Sequence, residues 1–151
     1  MKATSEITIE RATVAEVPAI AGLLQAAGLP HEDFAPHVAH FLVARNGGDV
    51  IGAVGAEVAG PEALLRSLVV EKAWRGRGLG DELVQRLEAA AQAWGVRRWW
   101  LLTTTAEAFF LKRGFRLTPR AEAPAAIATT AEFCGLCPSI AVCLSRERRD
   151  Q

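Results

Sequence analysis

Ser67-Leu-Val-Val-Glu-Lys-Ala-Trp-Arg-Gly-Arg-Gly-Leu-Gly80 carries the architecture of this chain. It sits at the end of an apolar run, Leu64 to Val70, that reads as a strand. A short loop follows, and then a glycine-rich turn that opens a helix. Leu79, Leu83, Val84, Leu87, Ala90, Ala91 and Trp94 recur at three- and four-residue spacing, which puts them on one helical face. Asp81 and Glu82 fall in the first turn, where the helix dipole favours acids. Gly76, Gly78 and Gly80 alternate through the turn and let the backbone approach a ligand closely. A helix start with outward N–H groups is an anion site suited to phosphate, and Arg75 and Arg77 add fixed positive charge.

The spacing excludes two common phosphate motifs. A dinucleotide fingerprint follows the first strand of its fold and has an acid about 20 residues on. A P-loop has Gly-Lys-Ser/Thr after its glycines, which this stretch lacks. A plain strand-to-helix connector beside a salt-bridging arginine pair is the alternative structural reading.

Arg75-Gly76-Arg77-Gly78-Leu79-Gly80 after Leu68-Val69-Val70 resembles the acyl-CoA-binding motif of the GNAT superfamily of N-acetyltransferases, Arg/Gln-x-x-Gly-x-Gly/Ala after a small apolar strand end. The resemblance implies that the loop amides hold the CoA pyrophosphate. It also implies that Leu68, Val69 and Val70 pair with the pantetheine arm, and that acetyl-CoA is the co-substrate.

Outward from this stretch, the 151 residues are expected to form a single domain spanning 1–151. The equal counts of Lys+Arg and Asp+Glu, 17 each, give no electrostatic case for nucleic acid or an anionic membrane. No apolar run approaches the roughly 18 residues of a membrane span, and the N-terminus lacks a signal-peptide block. Three cysteines leave one unpaired, which suits a reducing cytoplasm.

In chain order, Ile7 to Glu10 reads as a strand. A helix from a Thr13–Glu16 capping box runs to about Ala27. A weaker helix starts at His31 and reaches about His40. Phe41–Arg45, Asp49–Ala59 and Glu62–Val70 read as an antiparallel meander turning at Asn46-Gly47-Gly48 and Gly60-Pro61. After the long helix come a strand from Val96 to Thr104, a short helix from Ala106 to Arg113, and a strand from Phe115 to Thr118. A helix or loop from Ala123 to about Phe133 and a strand from Ser139 to Ser145 complete the chain. This order matches the GNAT order. It implies an α/β (α+β) fold with a mixed, mostly antiparallel sheet of six to seven strands, about four helices, and a splay between strands four and five.

The 101–115 segment looks like the corresponding part of N-acetylglutamate synthase. Glu132-Phe-Cys-Gly-Leu-Cys-Pro-Ser139 looks like a subgroup, the arsenic-resistance-operon N-acetyltransferases. The resemblance implies an N-acetyltransferase acting on the amine of a small, amino-acid-like acceptor, with a link to arsenic resistance; a homodimer is compatible with it. The competing reading is a catalytically silent acyl-CoA-binding sensor.

For the chemistry, the resemblance puts a backbone N–H near Val70 on the thioester oxygen as it becomes an oxyanion. The family often carries a Glu on strand four, where this chain has Leu64. Across a hairpin turning at Gly60-Pro61, Glu57 projects from the same face as Leu64 and can serve as the base. Arg66 lies diagonal to it, either as a mere ion-pair partner or as a fork for an acceptor carboxylate. The resemblance puts His31 and His37 where the family forms one wall of the acceptor pocket, with a plain surface histidine as the alternative for each; Ser67 is a further acceptor-side candidate, and His40 is expected to be structural. The family's general-acid Tyr corresponds to Phe110, and the chain has no Tyr. A thiol pKa near 8.5 makes thiolate release cost only about 2 kcal/mol, and Thr104 or Thr105 can assist it. Thr105 is also expected to cap the helix at Ala106. Cys134-Gly-Leu-Cys137 invites a metal or redox reading, but no further Cys/His pair sits at zinc-finger spacing, so no metal is expected; a trivalent-arsenic site on these thiols is implied only by the subgroup resemblance.

Overall fold

Alternation and helical periodicity both hold in the fold, seen in a computed structural model that describes residues 7–136 and 140–148. Among the described residues, seven strands form one sheet in the hydrogen-bonded order β1-β2-β3-β4-β5-β7-β6. They are β1 (Ile7–Arg11), β2 (Phe41–Asn46), β3 (Asp49–Ala59), β4 (Glu62–Val70), β5 (Arg98–Thr103), β6 (Arg116–Leu117) and β7 (Val142–Glu147). The helices are α1 (Val17–Ala26), α2 (Leu79–Gln92), α3 (Glu107–Leu111) and α4 (Ala125–Ala128). Both hairpin turns and the bounds of β3 and β4 are as the sequence predicts.

The chain divides into two compact units. One holds the residues up to Ala56 together with Ser67–Ala90, and the other holds Glu57–Arg66 together with the residues from Ala91 onward. In the first unit, β1 pairs antiparallel with β2 and β2 with β3. Its core joins Ile20 and Leu24 of α1 to Phe34, Phe41, Val43, Ala53 and Val69. Gly55 faces the Phe41 ring so closely that any Cβ there would collide with it. Leu83 and Val84 of α2 are buried, as its periodicity requires. Gly52 gives α2 its seat on β3, since a Cβ there would stand 3.2 Å from the Leu83 side chain.

In the second unit, β4 runs parallel to β5 over three pairs, Glu62↔Arg98, Ala63↔Trp99 and Leu64↔Trp100. The Trp100 indole N–H donates to Glu62 at 2.7 Å. Beyond Leu64 and Trp100 the pairing stops, while β4 continues to Val70 and β5 to Thr103. β5 pairs antiparallel with β7, and β7 with the two-residue β6. The core here gathers Leu64, Trp100, Leu102, Ile127, Ala141 and Cys143, with Ala123 and Phe133 against it.

Several elements differ from expectation in extent or type. The first helix opens as a 3₁₀ turn (Val14–Glu16) before α1, and Pro18 falls at the start of α1, where its missing N–H costs nothing. Glu16 accepts from the Thr13 N–H at 2.6 Å and hydroxyl at 3.0 Å, and pairs with Arg45 at 2.7 Å. The Thr13 N–H, more than Arg45, holds the Glu16 carboxyl below its ordinary pKa, against the burial that would raise it. The expected helix from His31 is only a 3₁₀ segment, Ala35–His40, six residues entered through Pro36. β5 starts at Arg98 rather than Val96, because Val96 still closes the end of α2 through its N–H to Ala91 O. The 123–133 region holds the single turn of α4 and a wide turn beginning at Glu132. The last strand begins at Val142 rather than Ser139, and Ser139 lies outside the described residues.

Gly55→Ala should lower the unfolding free energy by about 1–3 kcal/mol through overpacking. The expected result is a lower urea midpoint at unchanged slope; an unmoved midpoint would mean that the Phe41 ring yields freely.

Candidate functional site

The first unit carries the glycine loop. β4 ends at Val70, a 3₁₀ turn (Lys72–Trp74) follows, and the chain passes through Gly76 and Gly78 at φ +79° and +80° into α2. That left-handed backbone is what glycine supplies without steric cost. Glu82 N–H donates to Gly78 O at 3.1 Å, an α-helical bond at the start of α2, and the amides of a helix's first turn have no i−4 carbonyl within the helix to meet. Arg75 donates from Nε to Val70 O at 2.9 Å and so ties the loop to the strand end. Arg77 lies over the Trp74 ring at 4.8 Å. Beside it is a cavity of about 430 Å³ lined by Ile7, Thr8, Ile9, Trp74, Arg77, Leu79, Glu82 and Arg86.

At Ser67, where β4 enters this unit, the backbone is left-handed, φ +63°. Ser67 is the one non-glycine residue with positive φ among the described residues, and it is buried. Such a conformation costs about 1–3 kcal/mol and persists where surroundings impose it. His31 is half-buried, with Nδ1 at 3.2 Å from Leu29 O. Burial, with Arg11 and His37 nearby, pushes the His40 imidazole below its ordinary pKa.

The second unit carries the charged groups. The Arg66 side chain is fully buried (0% exposed), with Nη1 at 2.7 Å from Glu57 Oε2 and Nε at 3.2 Å from Glu132 Oε2. Glu57 is the most exposed of the three, at 11%. The cross-strand ion pair read from the sequence is therefore present. The guanidinium faces internal carboxylates on two sides, and sequence reasoning missed Glu132. A buried guanidinium presents five donors and demands more than one acceptor. That signal was legible, but nothing in the sequence says which distant acid answers it.

Thr104 is exposed on the bend after β5. The expected cap by Thr105 is not formed: the Thr103 hydroxyl, two residues earlier, accepts the N–H of Ala106, the residue that precedes α3, at 2.9 Å. Thr103 is the last residue of β5, so its side chain is held at the mouth of α3. Phe110, at the position of the expected Tyr, is buried edge-on against Phe109 and Phe115. Cys134 is exposed and within 3.4 Å of Ala128 O, and Cys143 is buried. Cys137 lies outside the described residues. Among the described residues no group of three or more His, Cys, Asp or Glu is placed to hold a metal, and no helix is long and apolar enough to cross a membrane.

The Acetyltransferase (GNAT) domain profile matches residues 37–117, from the 3₁₀ segment before β2 through β6. The chain belongs to the GNAT acetyltransferase family. GNAT relatives at sequence level include an amino-acid acetyltransferase of Ralstonia nicotianae, 35% identical over 80 residues, covering 52% of this chain and 18% of that protein. Another, from Azotobacter vinelandii, is 40% identical over 65 residues, covering 43% and 15%. The matched region thus spans under a fifth of these relatives' length. Among solved GNAT structures, N-acetylglutamate synthase from Neisseria gonorrhoeae, complexed with coenzyme A and L-arginine, superposes with a TM-score of 0.81 at 21% identity. The likeness covers 95% of this chain and 34% of that one. A Mycobacterium tuberculosis protein crystallised with CoA gives 0.75 at 23% identity, covering 93% and 98%.

One outcome tests the glycine loop and another the burial of Cys143. Gly78→Val places a β-branched side chain where φ is +80°. It should weaken coenzyme A binding by calorimetry at least about tenfold, on the order of 1.4 kcal/mol; unchanged affinity would dissociate the loop from the carrier. Burial, partly offset by Arg120, pushes the Cys143 thiol up to about 11. At about pH 8.5 its thiolate fraction is roughly 0.3%, so iodoacetamide should alkylate Cys134 and spare Cys143 in the native protein. Equal labelling of both would contradict the buried setting.

Proposed function

We propose that this GNAT domain transfers the acetyl group of acetyl-CoA to the amine of a small amino-acid acceptor. The observation that carries the proposal is the loop from Arg75 to Gly80, left-handed at Gly76 and Gly78 and tied to Val70 O by Arg75. It has the backbone that a pyrophosphate cradle at a helix start requires. The amino-acid class is supported by the names of the sequence relatives and by the N-acetylglutamate synthase likeness in fold.

In this reading the amides of Gly76 to Gly80 grip the pyrophosphate. Leu68, Val69 and Val70 pair with the pantetheine arm, and the N–H near Val70 stabilises the oxyanion. The amine nitrogen attacks the thioester carbon, the C–N bond forms, and the C–S bond breaks. The amine proton passes to Glu57, directly or through water. The departing thiolate takes a proton from solvent, with the exposed Thr104 hydroxyl as a relay. Ser67 and His31 remain the acceptor-side candidates. Arg66, wholly enclosed and set against two carboxylates, serves in this scheme by holding Glu57. The arsenic-resistance link rests only on the resemblance of the 132–139 stretch.

The test is release of CoA thiol from acetyl-CoA with each of the twenty amino acids, the acetylated product being identified by mass spectrometry. At least one should be turned over, and Glu57→Gln should slow that reaction by about 10²–10⁴-fold. Tight CoA binding without turnover of any amino acid would favour the silent sensor instead.

A further inference from the structure

Arg66 is held on two different edges of its guanidinium, by Glu57 at Nη1 and by Glu132 at Nε. We propose that Glu132 is a positioning residue for the general base: it locks the Arg66 fork so that Nη1 keeps Glu57 in one orientation. The assignment rests on the acetyl-transfer reading above.

An arginine side chain has several rotatable bonds, and a single ion pair leaves the plane of its fork free to turn about that contact. A second carboxylate on another edge removes this freedom. Burial enforces the arrangement, since Arg66 is fully enclosed and the Glu132 side chain is only 5% exposed. An enclosed charge without its partner is too costly to persist.

The backbone around Glu132 is built to hold it. α4 places Ile127 in the same apolar cluster as Leu64 of β4, and Phe133 packs against that cluster. The Thr130 hydroxyl lies 3.4 Å from the Phe133 N–H, and Thr130 O accepts from Cys134 N–H at 2.9 Å. Glu132 therefore enters from a segment anchored on the strand that carries Arg66.

Stability alone does not explain the triad. Buried ion triads are often matched or bettered by apolar residues of similar volume, and here apolar residues already surround the segment. What an apolar replacement cannot do is orient a carboxylate. Glu57 is the member that reaches solvent most, so it is the one a reacting amine can meet.

The experiment measures kcat and KM for Glu132→Ala and Glu132→Gln, using the amino acid turned over fastest. Glu132→Ala should lose at least about tenfold in kcat with KM for acetyl-CoA within about twofold. Glu132→Gln, which keeps an oxygen for Nε, should recover part of that loss and keeps the test alive if the alanine variant does not fold. The Glu57→Gln/Glu132→Ala and Glu57→Gln/Glu132→Gln pairs should be no slower than Glu57→Gln alone, because a positioning residue has nothing left to position. Parent-like kcat in the Glu132 variants, or losses that simply add, would overturn the proposal. Parent-like kcat in Glu57→Gln would instead remove the base assignment, and Glu132's role with it. If no amino acid is turned over, the function itself fails first.

Discussion

β4 has to do two conflicting things within one strand. Its first residues lie in a parallel ladder with β5, deep in an apolar core. Its last residues must deliver the chain to the glycine loop, left-handed at Gly76 and Gly78, at the start of α2. Ser67 sits at the change, in a left-handed conformation that a β-strand does not otherwise tolerate. The ladder has already stopped at Leu64 and Trp100. Backbone groups released from a ladder must find other partners or serve a ligand, and the proposed oxyanion donor near Val70 comes from this part of the strand.

The same strand carries Arg66 into the interior. Its charge there is met by the carboxylates of Glu57 and Glu132. Removing one partner of a buried pair typically costs about 3–5 kcal/mol, whereas replacing the whole set by apolar groups can be neutral. The triad is thus a constraint on geometry more than a source of stability. It also couples the 123–133 region to β4 by charge, while Ile127 and Phe133 couple it by packing.

Much of the fold was legible because it rests on local chemistry. The bounds of β3 and β4 follow from two short turns with glycine at Gly47-Gly48 and Gly60. α2 follows from an apolar stripe with acids in its first turn. The less legible parts are those where local preference is weak. His31 to His40 has no sustained periodicity, and packing of Phe34 and Val38 leaves it as a 3₁₀ segment. The residue between Trp99 and Gly95 that decides where β5 begins is Val96, and it answers to α2. Within the site, the glycine loop and the Glu57–Arg66 pair were readable from spacing. The hydroxyl that meets the Ala106 N–H ahead of α3 was misassigned by two residues, because Thr103, Thr104 and Thr105 are chemically alike and their spacing does not choose among them.

By itself the sequence determined the order of the strands, the glycine alternation that opens α2 between Arg75 and Gly80, and the need of a buried arginine for a carboxylate. Those are properties of neighbours along the chain, where spacing alone sets geometry. Only tertiary structure decided that Glu132, sixty-six positions from Arg66 in sequence, supplies the second carboxylate. It also decided that Ser67 bears the backbone strain and that Cys143 is enclosed. A long-range contact is selected by packing between elements, and the residues that make it carry no mark of their partner.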